Sequence, residues 1–139
     1  MKRGTMAKAV VVHDLGQAVA ALAAAAALKQ PIAIWSAPDA ACRAGVGWFA
    51  ALARQARAIH PKAKATFILE CGDRADLVQD AFRDGLADAC FIGRPAVAAR
   101  LADIARKSKA RLHLKRPRAL DLAQPRDIAA ALEQLLGGN

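Results

Sequence analysis

Five short apolar runs, at residues 9–12, 32–35, 66–69, 89–92 and 112–114, recur along this chain, each ending in polar residues and followed by a helical stretch that is usually alanine-rich. A strand separated from the next by a helix returns in the same direction, so the pattern predicts βαβ units and a parallel sheet. In such sheets the loops leaving the carboxyl ends of the strands share one edge, where ligands bind. That edge gathers His13, Asp14, Ser36, Cys71, Asp73, Gly93, Arg94, Lys115 and Arg116. The expected architecture is a single three-layer α/β domain over residues 1–139, with about five parallel strands flanked by helices in a flavodoxin-like or Rossmann-like topology. Residues 1–6 read as a frayed amino terminus.

The length of 139 residues suits one hydrophobic core without disulfides or structural metal. Hydrophobic residues make up 55% of the chain but aromatics only 4%, with no tyrosine, so Ala, Val, Leu and Ile fill the core. That composition lacks the aromatic platforms on which nucleic-acid bases stack. Cys42, Cys71 and Cys90 are an odd number without metal-ligand spacing, which points to a reducing, cytoplasmic setting. Lys2 and Arg3 precede an apolar stretch, but His13 and Asp14 interrupt it and the uncharged interval 15–28 is too short to span a bilayer. No membrane partner is expected.

The net charge of +9 is unevenly spread. Residues 94–118 hold nine Lys or Arg against one acid, whereas residues 70–88 hold six acids against two arginines. Such a basic half attracts phosphates, nucleic acid or an acidic partner, and also serves as a solvated face. No recognition-helix, KH or RRM signature accompanies it.

Asp14 and Gln17 have the spacing of a helix-capping pair, starting a helix that reaches about Lys29 before Pro31. This helix is free of charge on every face, so either neighbouring helices or an oligomer partner cover it. Cys71, at a strand end just before a helix, has the placement of an activated thiol, with His13 as its base. Packing is its alternative role. His13 and Asp14 read as a base with an orienting carboxylate, or as a cap and its neighbour. Gly93, Arg94 and Pro95 form a credible anion turn: glycine permits close approach, the helix offers free N–H groups, and arginine grips an anion in two places. The basic residues of 107–118 interleave with Leu112, His113 and Leu114, as on an edge strand protected by charge.

The segment Gly72-Asp73-Arg74, continuing through Gly85-Leu86-Ala87-Asp88-Ala89-Cys90-Phe91-Ile92 to Gly93-Arg94-Pro95, resembles the last two βα units of phosphate-binding TIM barrels. The resemblance implies an anion role for Gly93 and Arg94 and covers about a quarter of the chain. The order of elements also resembles bacterial receiver domains, with Asp14 and Lys115 near that family's acidic and lysine positions. Glu70 and Cys71 stand where the family places its phosphorylated aspartate, and Gly93 where it places a hydroxyl residue. In general style the chain is similar to small alanine-rich α/β proteins of proteobacteria that have no assigned activity.

The expected function is binding of a small anionic or phosphorylated ligand at the carboxyl edge, without catalysis or with weak catalysis. Gly93 and Arg94 hold the anion, Lys115 and Arg116 attract it, and Asp14, Ser36 and Asp73 orient polar groups. Two alternatives are a structural or regulatory homo-oligomer of receiver-like fold without phosphotransfer, and a cysteine-dependent enzyme using Cys71 and His13. No cofactor or metal motif is present.

Overall fold

The computed structural model describes residues 7–137, so the frayed terminus expected for residues 1–6 lies outside the described residues. The elements run β1 Lys8–Val11, α1 Leu15–Leu28, β2 Ile32–Trp35, α2 Ala40–Arg43, α3 Val46–Ile59 and β3 Ala65–Glu70. They continue with α4 Ala75–Arg83, β4 Asp88–Cys90, α5 Pro95–Lys107, β5 Arg111–His113, β6 Leu120–Asp121 and α6 Ile128–Gly137. All six strands are parallel in one sheet of order β5-β4-β3-β2-β1-β6. The α/β class, with a parallel sheet flanked by helices, therefore holds.

Local chemistry sets the helix ends. The Asp14 carboxylate accepts from the Gln17 backbone N–H at 2.8 Å, and the Gln17 side chain accepts in return from the His13 N–H, also at 2.8 Å. At the other end of α1, Lys29 takes a left-handed conformation, and its N–H closes on the carbonyls of Ala25 and Ala26. Pro95 opens α5 at a position where a missing N–H costs nothing.

Within that class, the strand order differs from the flavodoxin-like or Rossmann-like order expected, and the helices lie on one face. From β1 to β5 each strand is added beside its predecessor in the same direction, with no reversal. Right-handed crossovers then deliver every connecting helix to one face. The packing agrees: α6 lies on α1, α1 on α3, α3 on α4 and α4 on α5. The charge-free α1 is thus covered by two helices and the sheet, the first of the two explanations its sequence allows.

The core divides accordingly. Val10, Val12, Ile32, Ile34, Phe67, Leu69, Ala89 and Phe91 face the helices, together with the buried stripes Ala18, Ala21, Leu22 and Ala25 of α1 and Leu132 and Leu136 of α6. The alternate residues Ala9, Val11, Trp35, Ile68 and Cys90 form a second cluster that includes no helix residue. Fully parallel sheets are normally covered on both faces. Here the second cover is the segment 114–119, which leaves β5 at one edge and reaches β6 at the other.

That connection is short enough to shape the sheet. Five strand spacings and a descent of three residues separate His113 from Leu120 in a flat sheet, roughly 26 Å. Seven residues of extended chain span at most about 25 Å. A strap of this reach leaves no slack across a flat sheet and favours one that curves toward it, as in the interior of an incomplete (β/α) barrel, with β6 beside β1.

Because Leu132 is fully buried in the core that α6 shares with α1, Leu132→Ala is expected to destabilise the fold by about 2–4 kcal/mol. A urea denaturation midpoint lowered at constant slope would show it.

Candidate functional site

The concave face is built in three tiers by the register of the strands. Ala9, Ala33 and Thr66 are neighbours in the lowest tier. Val11, Trp35, Ile68, Asp88 and Arg111 form the middle tier, and Glu70, Cys90 and His113 the highest. The lowest tier carries small side chains, so the space between it and the strap is not filled. A cavity of about 540 Å³ results, lined by Ala9, Ala33, Trp35 and Ile68 on its apolar floor. Asp88, Arg111, His113, Lys115 and Arg116 supply its charged and ionisable rim. Its size and mostly apolar lining with a few polar groups are those of a small-molecule site.

Asp88 is 2% exposed and organises one end of the rim. Its two oxygens accept from Arg111 Nε and Nη2, each at 2.8 Å, and Oδ1 is also 2.8 Å from His113 Nε2. Burial acts against the charged carboxylate, but the bonds from His113 and Arg111 outweigh it and hold the Asp88 carboxyl below its usual range. An ionised carboxylate only accepts, so His113 carries a hydrogen on Nε2. The His113 ring meets Trp35 edge to face, with centroids 5.7 Å apart.

Glu70 organises the other end. One carboxylate oxygen accepts from the backbone N–H groups of Asp39 and Gly72, at 3.1 and 2.8 Å, tying the β2–α2 and β3–α4 loops together. Ser36 supports it from beneath: its buried hydroxyl accepts from the Glu70 N–H at 2.9 Å. The other Glu70 oxygen faces Arg116 Nη1 at 3.9 Å, an ion pair too long for a hydrogen bond. Arg116 Nη1 is consequently a buried donor without a hydrogen-bond partner among the described residues.

The residues expected from sequence fall into separate groups. Lys115 and Arg116 line the cavity, and Ser36 backs it through Glu70. Gly93, Arg94, Asp14 and Asp73 are outside its lining. A Cβ on Gly93 would come within 2.6 Å of the Phe91 ring and 3.3 Å of Asp73, so close packing accounts for this glycine. Asp14 is occupied as the α1 cap. Cys71 and His13 are not brought together: the His13 ring bonds Asp121 at 2.7 Å, while Cys71 lies buried against Leu69 in the helix-side core. Burial, with the Glu70 charge second, pushes the Cys71 thiol up to about 12, the opposite of activation.

Asp88, Arg111, His113 and Glu70 were missed as site residues. The available signal was an acid at the start of an apolar strand followed, in the next strand, by two basic residues spaced two apart. Only the register Asp88 to Arg111 turns that signal into a cluster.

No protein-family profile matches this sequence, and no curated protein is similar to it. Among solved structures, it is similar to a chain from Coccidioides immitis described as a "putative fructose-1,6-biphosphate aldolase". The TM-score is 0.57 at 16% identity, over 76% of this chain and 44% of that one. The chain thus spans less than half the length of that structure. The likeness is one of fold, in line with a parallel α/β sheet of barrel-like strand order.

Two outcomes test this geometry. Asp88 gains stability by being charged in the folded state, a gain present above the unfolded carboxyl value near about 4 and lost as pH falls through the lower folded value. Asp88→Asn should therefore cost about 1–3 kcal/mol at pH 7, and its deficit should shrink in denaturation series taken from pH 5 downward. Gly93→Ala should lower the urea midpoint by the equivalent of about 1–3 kcal/mol through its clash with Phe91.

Proposed function

We propose that this protein binds a small organic anion in the concave cavity, with Lys115 and Arg116 receiving the charged group and Ala9, Ala33, Trp35 and Ile68 receiving the apolar body. The observation that carries this reading is the Arg116 guanidinium, which lines the cavity with 26% of its side chain exposed and which Glu70 approaches only to 3.9 Å, too far for a hydrogen bond. A guanidinium that its neighbouring carboxylate does not hydrogen-bond keeps N–H donors for an anionic oxygen, and such charge-assisted bonds are stronger than neutral ones. Lys115 adds a second positive charge on the same wall. Asp88 does not cancel them, because its charge is taken up by Arg111 and His113. The ligand sits on the open face below the carboxyl edge, and the Gly93-Arg94 turn takes no part. The reading is one of binding; no nucleophile or redox group enters it.

Calorimetric titration with octanoate, naphthalene-1-carboxylate and inorganic phosphate, with octan-1-ol as the uncharged control, tests it. The two carboxylates should bind, phosphate more weakly for want of an apolar body, and octan-1-ol least. Arg116→Ala should weaken the carboxylates at least about tenfold while Arg94→Ala leaves them unchanged. Equal affinity in Arg116→Ala, or no binding by any anion, would remove the proposal.

A further inference from the structure

We infer that His113 is the proton-dependent ligand group of the concave cavity, so that an amphipathic carboxylate binds together with a proton. This rests on the anion reading above and adds to it a residue and a coupling.

The His113 ring lines the cavity, and one of its two nitrogens is already committed. Nε2 donates to Asp88, which is ionised and buried, leaving Nδ1 as the remaining polar atom, with no partner among the described residues. When the imidazole is neutral, Nδ1 presents a lone pair and repels an anionic oxygen. When it is protonated, the same atom becomes a charged donor, with Asp88 still accepting on the far side. The two states of one atom thus oppose and favour the same ligand. Asp88 and the edge contact with Trp35 fix the ring in place, so little reorganisation accompanies the change.

Facing His113 are Asp88 and Cys90 from β4, Arg111 from its own strand, Glu70 from β3 at the same tier, Trp35 from β2, and Lys115 and Arg116 from the strap. Burial, with Glu70 second, pushes the Cys90 thiol up to about 12, and Asp88 stays charged. Among these side-chain types, imidazole is the one that changes charge between pH 6 and 8. The other two histidines are placed elsewhere: His13 bonds Asp121, and His60 caps the carboxyl end of α3.

The test is calorimetry of octanoate binding to the full chain between pH 6 and 8, where a free carboxylate remains ionised, in buffers of different ionisation heat. Affinity should fall about tenfold across that range, with net proton uptake on binding. His113→Gln should bind at pH 6 only as well as the natural chain does at pH 8, without pH dependence. Because that variant also disturbs Asp88, the imidazole resonances of the natural chain give an independent readout: octanoate should raise the titration midpoint of His113 and leave that of His60 in place. Binding that is independent of pH, or an unmoved His113 midpoint, overturns the inference while leaving the anion site standing. Absence of octanoate binding at every pH overturns both.

Discussion

The order in which strands are laid down governs this molecule. Adding β1 to β5 in one direction sends every crossover helix to the same face, and the chain must then find some other cover for the opposite face. It does so with six residues between β5 and β6. Their limited reach leaves no slack across the sheet, and the strap and the sheet together line the cavity. Without the final return to β6 beside β1, the cluster of Trp35, Ile68 and Cys90 would lie open to water.

Two buried carboxylates hold this arrangement, and they do different work. Asp88 fastens the short edge strand β5 through two of its three residues, Arg111 and His113. Glu70 ties two loops at the carboxyl edge and draws Arg116 of the strap toward the sheet. A buried charge with matched donors costs little more than it returns, whereas one left short of partners is costly. Asp88 is the first kind. The Glu70–Arg116 pair, with one guanidinium nitrogen unmatched among the described residues, is the second kind, and Arg116 also lines the cavity.

Apart from the four-residue helix α2, β1 to β5 and the helices between them were legible from sequence, because the apolar runs are short, bounded by Gly, Pro or polar residues, and separated by helical stretches. β6 was not, since two residues carry no periodicity, and Leu120–Asp121 is a strand only because β1 lies beside it. Strand order was also hidden: each βαβ unit looks the same locally whether the next strand is added to the left or the right. The basic residues Lys115 and Arg116 stood out by charge and do line the cavity. Asp88 and His113 did not stand out, one reading as an isolated acid before an apolar run and the other as part of a charged edge. Cys71 misled for a related reason. Its position after Glu70 suggested the mouth of a site, but strand alternation turns its side chain to the helix-side core and that of Glu70 to the cavity side.

We propose that the concave face receives an organic anion through Arg116. A crystal structure grown with naphthalene-1-carboxylate tests it most directly. The ring is expected against Trp35 and Ile68, with the carboxylate within hydrogen-bond distance of the exposed part of the Arg116 guanidinium. A ligand seated at the Gly93-Arg94 turn, or a strap collapsed onto Ala33 and Thr66 with no space left beneath it, would contradict it.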